Sequence, residues 1–323
     1  MDDSGIDARA WKPHEVTSHR PPSTGATDDP DDADQTDCVE PTFTWAEGQP
    51  PVNTISADRH PFAIGVVGGP TVVLDYAGTR FVTDPTFDAP RDYGAMAKLT
   101  PPAVAAGDLG DVDAVLLSHD DHYDNLDIAG RDWAMTAAPV IVTGPGAARR
   151  LGTPARGLST WESTEIVRAD GAGTITVTAV PAVHGPLDGT RGASGQVNAV
   201  VTGFVLQAAG LPTVYVSGDN ASLVPVAQIS QRFPAVDVAV LFAGASRLPT
   251  KNQGRPLTLT GQRAADVTAV LGVPRVVIAH IAGWSIYSQT IDNVRLAFDE
   301  AGIAGRLVDA DAGSWALLEV QPQ

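Results

Sequence analysis

Val115-Leu-Leu-Ser-His-Asp-Asp-His-Tyr-Asp-Asn-Leu-Asp127 is the stretch on which the reading of this 323-residue chain turns. An apolar run ends abruptly in His119, Asp120, Asp121, His122, Asp124, Asn125 and Asp127. A strand that is apolar at every position is buried on both faces. Imidazoles and carboxylates crowded at the tip of such a strand repel or desolvate badly on their own. A divalent cation neutralises them.

Upstream, residues 63–67, 71–76 and 80–83 are β-rich runs separated by Gly-Gly-Pro and Ala-Gly-Thr. They read as successive antiparallel strands with tight turns. Downstream, the same texture predicts strands at 139–143, 165–168, 174–180, 199–206, 213–217, 236–242, 275–279, 306–309 and 315–320. Helices are expected over 144–151, 223–233, 259–271 and 290–301. The third has Thr258 and Thr260 as caps and an apolar stripe of Ala264, Ala265, Val267, Ala269 and Val270. The texture recurs in two halves, with helices late in each. This order predicts an α+β fold, an αββα four-layer sandwich of two mixed β-sheets packed face to face with helices outside.

A hydrophobic fraction of 43% suffices for a large core. Formal charge is −17, and −9 of it lies in the first sixty residues. An acidic surface disfavours nucleic acid and anionic membrane, which need a positive footprint. No apolar run approaches the length of a bilayer span, and Met1 to Ala10 is acidic and polar rather than signal-like. A soluble, cytoplasmic protein without stable membrane insertion is expected. Residues 1–60, rich in Asp and Pro, bury too little to offset chain entropy and are expected to be largely disordered. The folded domain is then 61–323, with His14, His19 and His60 on the surface. Cys38 is the single cysteine, so any metal is held by His, Asp or Glu.

Of seven histidines, His119, His122, His184 and His280 each follow an apolar, strand-like run. Asp219 ends Thr213-Val-Tyr-Val-Ser-Gly-Asp219 in the same way. Strand tips place short polar side chains on rigid elements around a shared rim. A lone histidine at a strand end is more often a hydrogen-bonded structural residue. The recurrence in four histidines and two aspartates points to a metal site instead.

From about residue 61 to 320 the chain resembles the metallo-β-lactamase fold superfamily. It is most similar to the branch with sugar-lactone phosphate lactonases and N-acylphosphatidylethanolamine-hydrolysing phospholipase D. The matching segments run from Gly68-Gly-Pro-Thr-Val-Val-Leu-Asp-Tyr-Ala through Phe81-Val-Thr-Asp-Pro85 to the 118–127 block. Ala182-Val-His-Gly185, Ser217-Gly-Asp-Asn220 and Ile278-Ala-His-Ile-Ala-Gly-Trp284 complete them. The resemblance implies a His-x-His-x-Asp-His block, a distant His, a distant Asp and a last His around two metals. Aligned on Asp124-Asn-Leu-Asp127, His122 takes the second histidine's place and Asp124 the aspartate's. Asn125 stands where the third histidine belongs. The first histidine falls on Asp120, with His119 one residue early. Either Asp120 ligates or the loop bulges and His119 does, and the Leu-Ser-His context favours His119.

On this resemblance one site uses His119, His122 and His184 with Asp219 bridging, and the other uses Asp124, Asp219 and His280. An amide oxygen is a weaker donor than imidazole. Asn125 therefore predicts one tight and one weaker Zn2+, with Mn2+ or Fe2+ as alternatives. The first site leaves a position for water, whose pKa a metal lowers toward ~7. Asp124 and His122 carry the catalytic expectation, Asp124 by orienting the nucleophile and moving its proton. A lactonase-like, metal-dependent hydrolase of a small ester, lactone or phosphoester follows. The alternative is a degenerate member that binds metal or ligand without turnover. Arg131, Arg247 and Trp284 are candidate contacts for a small-molecule substrate. Asp84 is expected to brace a ligand histidine by a hydrogen bond. The sequence is compatible with a homo-oligomer.

Overall fold

Both faces of the strand that leads to His119 are covered. Ala114 and Leu116 join a core with Phe81, Val142 and Phe204, while Val115 and Leu117 join another with Val82, Leu126 and Ala134. The computed structural model describes residues 54–192 and 195–318. In it β1 (Phe62–Gly68), β2 (Thr71–Tyr76) and β3 (Thr79–Thr83) form an antiparallel meander. A small hairpin, β4 (Arg91–Asp92) with β5 (Ala97–Lys98), follows. Then β6 (Ala114–Leu116), β7 (Ile141–Thr143) and β8 (Ala155–Gly157) add in parallel beside β3. Helices α1 (Ile128–Ala137) and α2 (Pro145–Leu151) make the crossovers.

The second half repeats this plan. Strands β9 (Ser163–Val167), β10 (Thr174–Pro181), β11 (Thr202–Gln207) and β12 (Val214–Val216) are antiparallel. Next come α3 (Leu223–Arg232), β13 (Val238–Phe242), α4 (Gly261–Leu271), β14 (Arg275–Ala279), α5 (Ile291–Glu300) and β15 (Leu307–Val308). These three strands continue the second sheet in parallel. β16 (Ser314–Leu318) returns to the first sheet beside β1. Among the described residues each of these two sheets therefore has seven strands, in the orders β16-β1-β2-β3-β6-β7-β8 and β15-β14-β13-β12-β11-β10-β9.

Strand periodicity explains the layering. Val238, Val240 and Phe242 face the core between the sheets, and Ala239, Leu241 and Ala243 face α3, α4 and α5. Phe62 and Ile64 likewise face inward, while Ala63 and Val67 face the outer layer that includes α1. The expected α+β, αββα sandwich is the observed architecture.

Several expectations change. Helix α1, strand β8 and the β4–β5 hairpin are additions. Gly130 obscures α1 in the sequence, yet a Cβ there would lie 1.9 Å from the Pro85 carbonyl oxygen, so the helix packs too closely for a larger residue. Asp127 caps it by accepting from the Gly130 amide. The packed body also begins before residue 61. Ile55 is buried, its amide donates to Gly313 O at 2.9 Å, and Thr54 bridges Ser314. His60, expected on the surface, is half-buried with its ring 5.0 Å from that of Trp315. Arg80 secures this segment. Its guanidinium is fully buried, grips Asp75 with Nε–Oδ1 at 2.7 Å and Nη2–Oδ2 at 2.8 Å, and donates to Ser56 O. The expected disorder of residues 1–53, with His14, His19 and Cys38, lies outside the described residues. Among the described residues, no helix is long and apolar enough to cross a membrane.

Candidate metal centre

The site lies where strands from both sheets end. β3 delivers Asp84, β6 delivers Ser118 and His119, β10 leads to His184, β12 to Asp219, and β14 to His280. Asp84 and His280 have φ of 33° and 55°, which side-chain-bearing residues rarely adopt. Such strain costs on the order of 1–3 kcal/mol and persists where the surroundings over-determine it. Before Asp219, Gly218 has φ 53°, and a Cβ there would sit 2.9 Å from both Ser118 Cβ and Thr202 O. That glycine lets the two sheets approach at the site.

His119, His122 and His184 form one group. His119 Nε2 is 2.7 Å and His184 Nε2 is 3.3 Å from His122 Nδ1. The outer nitrogens define the tautomers. His184 Nδ1 donates to Leu257 O at 2.8 Å, because a carbonyl can only accept. Ser118 Oγ donates its one proton to Asp84 Oδ1 at 2.8 Å and therefore accepts from His119 Nδ1 at 2.9 Å. Both Nε2 atoms thus carry lone pairs aimed at His122 Nδ1. Burial, then the neighbouring imidazoles, pushes His119 well below the ordinary histidine range. Burial foremost lowers His122 and His184 to about 4. Three neutral imidazoles with converging nitrogens, two of them presenting lone pairs, suit a divalent cation. A tetrahedral zinc ion with Zn–N of ~2.05 Å separates its nitrogens by about 3.3 Å. The His122–His184 spacing matches, and His119 is closer.

Asp124, Asp219 and His280 form the second group. His280 Nε2 lies 3.2 Å from Asp124 Oδ2 and 3.3 Å from Asp219 Oδ1, without hydrogen-bond alignment to either. Asp219 Oδ2 is 3.4 Å from His184 Nε2, so this carboxylate faces both groups. Buried polar atoms without partners collect here: Asp219 Oδ2, Asn125 Oδ1, Asp84 Oδ2, His280 Nδ1 and the Tyr287 hydroxyl. Interiors satisfy such atoms. Their concentration at one place fits a cation with its oxygen ligands. Burial works to raise Asp124, yet His280, His122 and His184 together hold it below the usual carboxylate range. Burial raises Asp219 and Asp84. Burial opposes the charge on His280 as well, but Asp219, Asp124 and Asp84 outweigh it and raise that pKa.

The geometry resolves which side chain of the block joins the first group. His119 enters it. Asp120 turns away and is held by Arg150, with Nε 3.1 Å from both carboxylate oxygens. Arg131 is not free either. On α1, it donates to Asp120 O at 3.3 Å and lies 3.8 Å from the Asp120 carboxylate. It does line a 310 Å³ cavity with His122 and Tyr123. Arg247 is exposed, and its guanidinium donates to Gly254 O at 3.5 Å. Trp284 is buried in a satellite cluster with Met96, Leu248 and Ile286. It lies behind Tyr93, which stacks on Tyr123 with centroids 4.4 Å apart. Asp84 does not bond a histidine directly, since Ser118 stands between. Asn125 Nδ2 donates to Asp219 Oδ1 at 3.0 Å.

Ser118 was absent from the expected site. It had a signal, its position directly before His119.

The family model described as "Beta-lactamase superfamily domain" matches residues 79–281. N-acyl-phosphatidylethanolamine-hydrolyzing phospholipase D 1 of Caenorhabditis elegans is 32% identical over 133 residues. That stretch covers 39% of this chain and 35% of that protein, so the match spans about a third of the relative's length. Among solved structures, isothiocyanate hydrolase from Delia radicum gut bacteria is similar with a TM-score of 0.63 and 23% identity, over 78% of this chain and 97% of that one. A protein from Veillonella parvula described as a possible metal-dependent hydrolase gives 0.67 and 17%, over 80% and 99%. At these identities the two structures speak to the fold alone.

Proposed function

The chain belongs to the beta-lactamase superfamily, in its metallo-β-lactamase fold of metal-dependent hydrolases, and on that premise we propose that it hydrolyses a small ester, lactone or phosphoester. The observation that carries the reading is the convergence of ring nitrogens from His119, His122 and His184 beside a carboxylate, Asp219, that faces both groups. In this reading His119, His122 and His184 hold one zinc ion tightly. Asp124, Asp219 and His280 hold a second more weakly, because Asn125 offers an amide in place of an imidazole and engages Asp219 itself. A bound divalent ion supplies Lewis acidity, lowering the pKa of water toward ~7 and polarising a carbonyl or phosphoryl oxygen.

The chain's own residues do the rest. Asp124 stays ionised beside His280 and is placed to accept a proton from the nucleophile and return it to the leaving group. Asp84 and Ser118 hold His119 in the tautomer that presents Nε2. Leu257 O does the same for His184. With a formal charge of −17, the chain suits a free small-molecule substrate in the cytoplasm rather than nucleic acid.

His122→Ala and Asp219→Ala are expected to remove bound metal and hydrolysis of 4-nitrophenyl esters, lactones or phosphodiesters, with unchanged far-UV circular dichroism. Activity that survives chelation overturns the reading. Bound metal with no turnover on that panel favours the alternative, a binding scaffold, for which the Asn125–Asp219 contact is the motivating observation.

A further inference from the structure

Resting on the hydrolase reading, we propose that the substrate carries an anionic group and that Lys251 is the cation that receives it. Lys251 lies in the loop that runs from Leu248 to Leu257. That loop closes against the metal centre, because Leu257 O accepts from His184 Nδ1. It also packs on the segment that follows His184: a Cβ on Gly189 would lie 2.5 Å from Asn252 Oδ1, and one on Gly185 3.4 Å from Leu257. The Lys251 ammonium donates to Asn198 Oδ1 on that segment. It is therefore held between the two loops flanking His184.

Its charge is not spent elsewhere. Four other cations each have a carboxylate, while the guanidiniums of Arg247 and Arg263 donate to backbone carbonyls. Arg150 and Arg131 share Asp120, Arg255 takes Asp188 at 2.7 Å, and Lys98 takes Asp127 at 2.9 Å. Among the described residues no carboxylate comes within ion-pair distance of Lys251. A neutral amide is its partner, and an ammonium has three donors, so two remain. An ammonium without a carboxylate partner, held between loops that close on His184, attracts an anion to that side of the centre. The loop backbone is strained where it turns, with φ of 49° at Asn252 and 58° at Gln253, so the position of Lys251 is imposed by the fold.

The test separates an anion at the metal from an anion at Lys251. Calorimetry on the full chain as purified compares succinate, glutarate and adipate with butyrate, pentanoate and hexanoate. Each pair shares one carboxylate, and only the first member has another for Lys251. At least one dicarboxylate is expected to bind about tenfold more tightly than its partner. Lys251→Met should collapse that preference to about twofold, the statistical factor for two identical ends, and Lys251→Arg should keep it. Raising salt from about 0.05 M to about 0.5 M should shrink the preference in the unmodified protein, which needs no variant to fold. Replacing succinate by 3-phosphonopropionate distinguishes a carboxylate from a phosphate as the group preferred. No dicarboxylate preference, or one that survives Lys251→Met or high salt, overturns the proposal. Ester hydrolysis is followed in parallel. A Lys251-dependent preference without any turnover removes the hydrolase reading and leaves the anion site. Turnover without the preference does the reverse.

Discussion

Asn125 donates through Nδ2 to Oδ1 of Asp219, 3.0 Å away and 94 positions along the chain. The same Asp219 oxygen lies 3.3 Å from His280 Nε2. The amide thus competes for a carboxylate oxygen at the second group, where an imidazole would add a ligand. Asn125→His is expected to raise retention of a second metal. After dialysis the unmodified chain should keep about one equivalent of zinc and the variant about two, by inductively coupled plasma analysis. Two equally tight equivalents in the unmodified chain would contradict this.

The Asp84–Ser118–His119 relay holds one imidazole in register. Ser118→Ala deletes the acceptor for His119 Nδ1 and leaves Asp84 buried with less solvation. Loss of such an outer hydrogen bond lowers metal affinity by about 10–100-fold. Competition with a chromophoric chelator measures it, and an affinity unchanged within twofold would remove the relay from the account.

Acid should destabilise the metal-free protein in a defined window. His122 and His184 titrate at about 4 in the folded chain. The unfolded value is about 6.5. Between these values the unfolded state binds protons that the folded state refuses, so stability falls as pH drops from about 6.5 toward 4. The loss is on the order of 2–3 kcal/mol per histidine at the lower end. Urea unfolding of the chelated chain at several pH values reads it directly. A midpoint that stays constant across the window would refute the burial of neutral imidazoles.

Arg80 and Asp75 form a fully buried pair. Removing one partner strands the other charge, at a cost of about 3–5 kcal/mol. Arg80→Met is therefore expected to lower the urea midpoint sharply and to loosen residues 54–60, whose Ser56 and Asp58 carbonyls it also binds. Hydrogen exchange at Ile55 reports the second effect. Protection there equal to that of the unmodified chain would separate this segment from Arg80.

Most of the strands were legible because burial on both faces writes an unbroken apolar run into the sequence, as at 238–242 and 275–279. The elements that escaped have local signals that tertiary contacts override. Gly130 argues against α1, yet the close approach of Pro85 requires it. β8 is only three residues long and is half exposed. Residues 54–60 look like the acidic segment before them, but Ile55 and the carbonyls that Arg80 binds tie them to the sheet.

By itself the sequence determined the sandwich and the positions where imidazoles and carboxylates leave apolar strands, because periodicity and burial are short-range properties of the chain. The tertiary structure alone decided which side chains meet. It turned His119 inward and gave Asp120 to Arg150, spent Arg131 on the Asp120 loop, set Asn125 against Asp219, and joined Lys251 to Asn198. Those outcomes depend on competition among partners up to 94 positions apart, and only the closed packing of two sheets settles that competition.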